Sequence, residues 1–231
     1  MCHNEIMPGR GFPLLTGDIF HIVNRGITDF DAFADHQEYQ RAIATLAYYR
    51  DQKPRIRFSF FVKLPIERQQ AYVQSRGPTH PKLVSILAFC LMLNHFHLLL
   101  KQLADNGIST FLSQFTNSYT RYFNTKNKRS GPIFQGRFKA VRIESEEQLM
   151  HVSRYIHLNP YSAGLTPSLH DLETYPYSSF TEYLEPGKSG LCETRTVSGL
   201  FGGQEDYKSF VFDHADYQRQ LEYIKHLTLD P

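Results

Sequence analysis

Three side-chain types at three places carry the chemistry this sequence can do. His95 and His97 flank Phe96 in Leu91-Met92-Leu93-Asn94-His95-Phe96-His97-Leu98-Leu99-Leu100. On a β-strand alternate side chains share a face, so both imidazoles project together while Phe96 packs behind them. Two neighbouring imidazoles on a rigid strand can hold a divalent metal ion. Further on, Tyr155 and Asn159 stand four apart in Arg154-Tyr155-Ile156-His157-Leu158-Asn159-Pro160 and would share one face of a helix. A phenol becomes a nucleophile where its developing charge is stabilised. The amide oxygen of Asn159 can complete a metal site begun by the histidines. Each feature has a plainer alternative: a hydrogen-bonded core pair, a half-buried helix tyrosine, a helix-end asparagine.

A third feature is local charge. Between Asn106 and Ile143 there is no Asp or Glu, whereas Arg121, Lys126, Lys128, Arg129, Arg137, Lys139 and Arg142 all fall there. Tyr119, Tyr122, Phe123, Phe134 and Phe138 are interleaved with them. Cations neutralise phosphates and aromatic faces stack on unpaired bases, so this band is the candidate DNA-binding surface. An ordinary solvated helix face with core aromatics is the alternative. The 231-residue chain carries a net charge of only +2, so nucleic-acid binding is not announced globally. Cys2, Cys90 and Cys192 form no CxxC pair, which excludes a zinc finger and suits a reducing compartment. No P-loop pattern is present. With neither a membrane-length apolar run nor a signal-peptide core, the expectation is a cytoplasmic protein without membrane partners.

The elements that must position these residues follow from periodicity. Asp18 to Asn24 reads as a first strand and Asp35 to Asp51 as a helix with Asp35 as N-cap. Within 52–84, Ile56 to Val62 reads as a short strand or buried turn, and Pro65 to Ser75 as a short helix. Val84 to Leu93 and His95 to Lys101 read as adjacent strands, although Leu93-Asn94 lacks the glycine of the best hairpin turns. Ile108 to Asn127 is helical, Phe138 to Ile143 is a fourth strand, and Ser145 to Leu158 is a helix followed by Pro160. This order is the ferredoxin-like split βαβ plan of an α+β fold, with an added helix carrying Tyr155. The expected division is a catalytic domain over 1–165, with 52–84 an insertion. Residues 166–231 form a C-terminal extension with a candidate role in DNA binding, helical over Tyr217 to Leu227.

The His95-Phe96-His97 run resembles the HUH signature of single-tyrosine transposases of the insertion-sequence type, U being a bulky apolar residue. Asn117 to Asn124, Gly131 to Phe138 and Arg154 to Pro160 are similar to that family as well. Within it the resemblance is to the REP-associated tyrosine transposases, and it spans about Ile19 to Leu165. It implies His95 and His97 as metal ligands, Asn159 as the third polar ligand, Mg²⁺ or Mn²⁺ as the ion, and Tyr155 as nucleophile. Single-stranded DNA is then cut and rejoined near hairpins through a 5′-phosphotyrosine, by a monomer or a homodimer. Two departures stand out: the long segment 52–84, and Leu93 where relatives often carry proline. Rival readings are a domesticated, non-catalytic nucleic-acid-binding module, a relaxase or replication-initiator nickase, and a metal-dependent hydrolase.

Overall fold

The alternation in Ile19-Phe20-His21-Ile22-Val23 buries Phe20 and Ile22 on one side of a strand and turns His21 to the other. That strand is β1 (Ile19–Arg25) of a computed structural model describing residues 12–27, 31–52, 54–77, 79–185 and 190–220. It is followed by helices α1 (His36–Tyr49), α2 (Phe58–Phe61) and α3 (Ile66–Gln74), then the hairpin β2 (Val84–Leu91) and β3 (His95–Gln102). Helix α4 (Gly107–Lys126), strand β4 (Lys139–Ile143) and helix α5 (Glu146–Ser162) complete the plan. The four strands lie in the order β2-β3-β1-β4, all neighbours antiparallel. This is the α+β arrangement expected from the order of elements, with β1 and β3 central.

One sheet face is covered by α1 and α4, where Phe20, Ile22, Phe96, Leu98 and Leu100 pack with Leu46, Phe111, Phe115 and Tyr119. The other is covered by α5 and a run of short helices: α6 (Leu169–Leu172), α7 (Phe180–Leu184), α8 (Arg195–Ser198) and α9 (Gln204–Phe212). There Leu87, Ala88, Cys90 and Leu99 pack with Leu149, Ile156, Phe180, Tyr183 and Tyr207. Residues 166–185 and 190–220 thus contribute to the core beneath the sheet. No helix among the described residues is long and apolar enough to cross a membrane.

Local chemistry explains the element ends. Asp35 caps α1, its side chain accepting from the Glu38 N–H at 2.9 Å, and Ser145 caps α5 through the Gln148 N–H. The β2–β3 connection needs no glycine because none of Met92, Leu93 and Asn94 adopts a left-handed φ. At the start of α4, a Cβ on Gly107 would lie 2.3 Å from the Leu83 carbonyl oxygen, a backbone atom that cannot swing aside. Gly107→Ala should therefore destabilise the fold by about 1–3 kcal/mol in chemical denaturation, as overpacking does elsewhere.

One local alternative is decided and one expectation is corrected. Of the two readings of residues 56–62, the turn holds and the strand does not: Phe58–Phe61 make a helical turn that drops Phe58 against Tyr48 and Tyr49. Helix α5 does not stop at Leu158 but runs through Pro160 to Ser162. Proline removes one N–H donor, yet only two helical residues follow it, and the chain closes with Ala163 N donating to Asn159 O and Leu165 N to Pro160 O. Tyr217 to the limit of the described chain at 220 is helical; the rest of that predicted helix, and Cys2, lie outside the described residues.

Candidate active site

β3 presents His95, His97 and Leu99 toward α5, because Phe96, Leu98 and Leu100 are claimed by the α1–α4 side. The register Val23↔His97, His21↔Leu99 and Arg25↔His95 puts β1 residues 21, 23 and 25 on the same face. Across the other edge of β1, Lys139 pairs with Val23 and joins them. His97 is buried and His95 is half-buried.

Each signature imidazole has a neighbour that orients it. The Asn94 Oδ1 lies 2.7 Å from His95 Nδ1, so that nitrogen donates and Nε2 is the basic one. His97 Nδ1 lies 2.9 Å from His21 Nε2, with the two rings stacked at 5.2 Å between centroids. Burial holds the His21 imidazole down to about 4, so it is neutral at pH 7 and can accept from His97 Nδ1–H. His97 then also keeps Nε2 as its basic nitrogen. Partners of this kind fix the tautomer and ring orientation of metal-ligating histidines.

Tyr155 comes to the same place from α5. Its ring stands edge-on to His97 at 5.4 Å and to His21 at 5.9 Å between centroids. One helical turn on, Asn159 is buried, and its Nδ2 donates to the Tyr155 carbonyl at 2.8 Å, leaving Oδ1 as its acceptor atom. Gln218 also donates to that carbonyl, at 3.2 Å. The fold therefore gathers His95, His97 and Tyr155 at one point, with Asn159 on the adjoining turn.

The other tyrosines of the middle helix are elsewhere. Tyr119 is fully buried on the α1 side and donates to the Ala32 carbonyl at 2.6 Å, and burial pushes its phenol well above the ordinary range. Tyr122 lies on the same helix, over Arg41, across the sheet from His97. The remaining residues of the Arg154–Pro160 motif are tied into the packing. Arg154 stacks its guanidinium over Phe210 at 4.3 Å and meets His151 Nδ1 at 2.7 Å. His157 is fully buried between Tyr207 Oη at 2.7 Å and Ser179 Oγ at 2.8 Å, joining α5 to α9 and to the start of α7.

Burial keeps His157 neutral, with its pKa lowered from 6.5 to about 3. A depressed histidine pKa means the unfolded chain binds the proton first, so stability is lost as pH falls below 6.5. Denaturant midpoints should drop from pH 7 to pH 5 by the equivalent of about 2 kcal/mol for this one group. His21 acts in the same direction. The lowered carboxylates Asp35 and Glu173 titrate below this window, so His157→Gln should flatten the slope between pH 6.5 and 5.

The basic band is divided rather than gathered. Lys126 is ion-paired with Asp35 and, at 2.9 Å, with Glu38, and Arg142 with Asp18 at 3.0 Å. Lys139 lies on the His97 face, whereas Arg121 lies on α4 with the α1 layer. Lys128 and Arg137 are exposed, and Arg129 is half-buried near Phe123, 6.0 Å from its ring. Two residues of the site's face escaped the sequence analysis, His21 and the exposed Arg25. Their only sequence signal is their odd-numbered place in the alternation of β1, which means nothing until β1 is registered against β3.

Two imidazoles and an amide oxygen make a donor set that would suit a divalent ion of moderate hardness. Among the described residues no group of three or more His, Cys, Asp or Glu side chains is arranged to hold a metal.

Comparison with known proteins bears on the fold and on the family the chain resembles. No curated protein sequence matches the chain. A solved structure of a REP-associated tyrosine transposase bound to a REP hairpin shares the fold, with a TM-score of 0.54 at 16% identity over 78% of this chain and 87% of that one. The family model for IS200-like transposases matches residues 67–159, from α3 through His95, His97 and Tyr155 to Asn159. Over residues 67–159, on a fold shared with a tyrosine transposase, the chain is similar to the IS200-like transposase family.

Proposed function

We propose that this chain is a single-stranded DNA transposase that cuts and rejoins strands beside a hairpin, with Tyr155 as nucleophile. The observation that carries the reading is the edge-on placement of the Tyr155 ring against His97 and His21. The family match through 67–159 supports it, as does the likeness to a transposase bound to a hairpin. His95, His97 and Asn159 would hold Mg²⁺ or Mn²⁺, which when bound polarises the scissile phosphate and draws off its developing charge.

The chain's own groups do the rest. Tyr155 Oη attacks phosphorus and loses its proton; the bond from phosphorus to the 3′ oxygen breaks, and that oxygen leaves protonated. A 5′-phosphotyrosine conserves the phosphodiester bond energy. A second strand's 3′-hydroxyl then reverses the step, so joining needs no nucleotide cofactor. Asn94 and His21 keep the imidazoles oriented, so little reorganisation accompanies charge development. Arg25 and Lys139, exposed on the same face, would meet the flanking phosphates.

The test is a strand-transfer assay. An end-labelled hairpin oligonucleotide with a single-stranded flank, incubated with protein and Mn²⁺, should give both a shortened product and, with an unlabelled acceptor, a joined one. Tight binding without either product, over several hairpins, would replace this reading with that of a binding module.

A further inference from the structure

The segment between α1 and β2 helps build a second site. A cleft of about 650 Å³ opens between α1, α2 and α4. Its walls include Arg41 from α1, Arg57 and Lys63 from around α2, and Arg121 and Lys126 from α4, with no aspartate or glutamate. Lys126 is neutralised by Asp35 and Glu38. Arg41, Arg57, Lys63 and Arg121 form no ion pair among the described residues. Unpaired cations converging from three helices repel one another and favour an anionic ligand.

The interior is polar and incompletely satisfied. Arg41 lies over the rings of Phe58 at 4.3 Å and Tyr122 at 4.9 Å, which hold its guanidinium in place. Arg41 Nε, Gln114 Oε1 and Tyr122 Oη, all on lining residues, are buried with no hydrogen-bond partner among the described residues. Buried polar groups are ordinarily paired, so these three are groups a ligand can satisfy. The volume falls in the range that small organic ligands occupy, well beyond one phosphate ion. Arg57, Lys63 and Arg121 are exposed, so positive charge continues to the surface. Phe60, beside the lining Ser59, is 60% exposed and offers a face for a base.

We infer that this cleft binds the sugar–phosphate backbone of a single-stranded nucleic acid, as a second binding region remote from Tyr155. Charge reaching the surface and an exposed aromatic favour a strand over a free nucleotide. That the strand is DNA rests on the proposed function. The α1–α4 layer lies across the sheet from His95 and His97, so a strand held here extends around the protein rather than through the catalytic face.

The test is fluorescence anisotropy with a labelled oligothymidine of about 20 nucleotides and no hairpin, from about 50 to about 200 mM salt. The triple variant Arg57→Ala, Lys63→Ala, Arg121→Ala changes only exposed side chains, and its melting curve checks folding. Its affinity should fall at least about tenfold and its log–log salt slope by about 2, at about 0.7 for each single-strand phosphate that is no longer neutralised. Restoring charge with Arg57→Lys and Arg121→Lys, Lys63 retained, should recover most of the slope. Unchanged affinity and slope in the triple variant would overturn the inference. So would thymidine monophosphate binding as tightly as the strand. If the triple variant loses binding while no Tyr155 adduct forms on any DNA, the cleft stands and the proposed function falls.

Discussion

Tyr155→Phe is expected to abolish the covalent protein–DNA adduct while leaving hairpin binding and the melting temperature nearly unchanged. Removing one hydroxyl takes away the proposed attacking oxygen, and neither tyrosine of the middle helix is placed to replace it. Tyr119 donates its hydroxyl to the Ala32 carbonyl inside the opposite core, and Tyr122 lies across the sheet with it. The rate of adduct formation should fall by at least about 10⁴-fold, the scale seen when a nucleophile is removed. The ring itself remains, so its edge-on packing against His97 and His21 persists. Adduct forming at an undiminished rate would move the nucleophile elsewhere.

The second large effect concerns the histidines. His97→Ala would remove one of the proposed ligands, and Mn²⁺ affinity measured by calorimetry should then fall by more than about 100-fold, beyond the loss typical of an orienting partner. His21→Ala leaves both signature imidazoles in place but frees His97 Nδ1 of its 2.9 Å partner. Loss of such an orienting partner costs about 10- to 100-fold in metal affinity. His21→Gln offers an amide oxygen to the same N–H and should recover part of that loss. Undiminished Mn²⁺ affinity in His21→Ala would reduce His21 to a packing residue.

Much of this was legible in the order of elements. The β1-α1-β2-β3-α4-β4 plan, the Asp35 and Ser145 caps and the shared face of His95 and His97 rest on local patterns, and the coordinates agree with them. What failed locally failed for a reason of balance. Phe58-Ser59-Phe60-Phe61 is as good a strand former as a helical turn, and only packing of Phe58 on Tyr48 and Tyr49 decides. Pro160 reads as a stop, yet a proline near a helix end removes a single bond. The larger omissions were non-local. His21 meets His97 only because β1 lies antiparallel to β3 in one register. The cationic cleft joins residues from 41 to 126 that no sequence window contains. Even the basic band, continuous in sequence, is split by the sheet between two faces.

The central claim is that Tyr155, set against the histidine face by α5, becomes covalently joined to DNA. Tryptic mass spectrometry of protein incubated with hairpin DNA and Mn²⁺, after nuclease digestion, tests it most directly. The account predicts a nucleotide 5′-phosphate on the peptide containing Tyr155, lost when His95 is replaced with alanine. A modification on Tyr119, Tyr122 or any other residue, with the Tyr155 peptide unmodified, would contradict it.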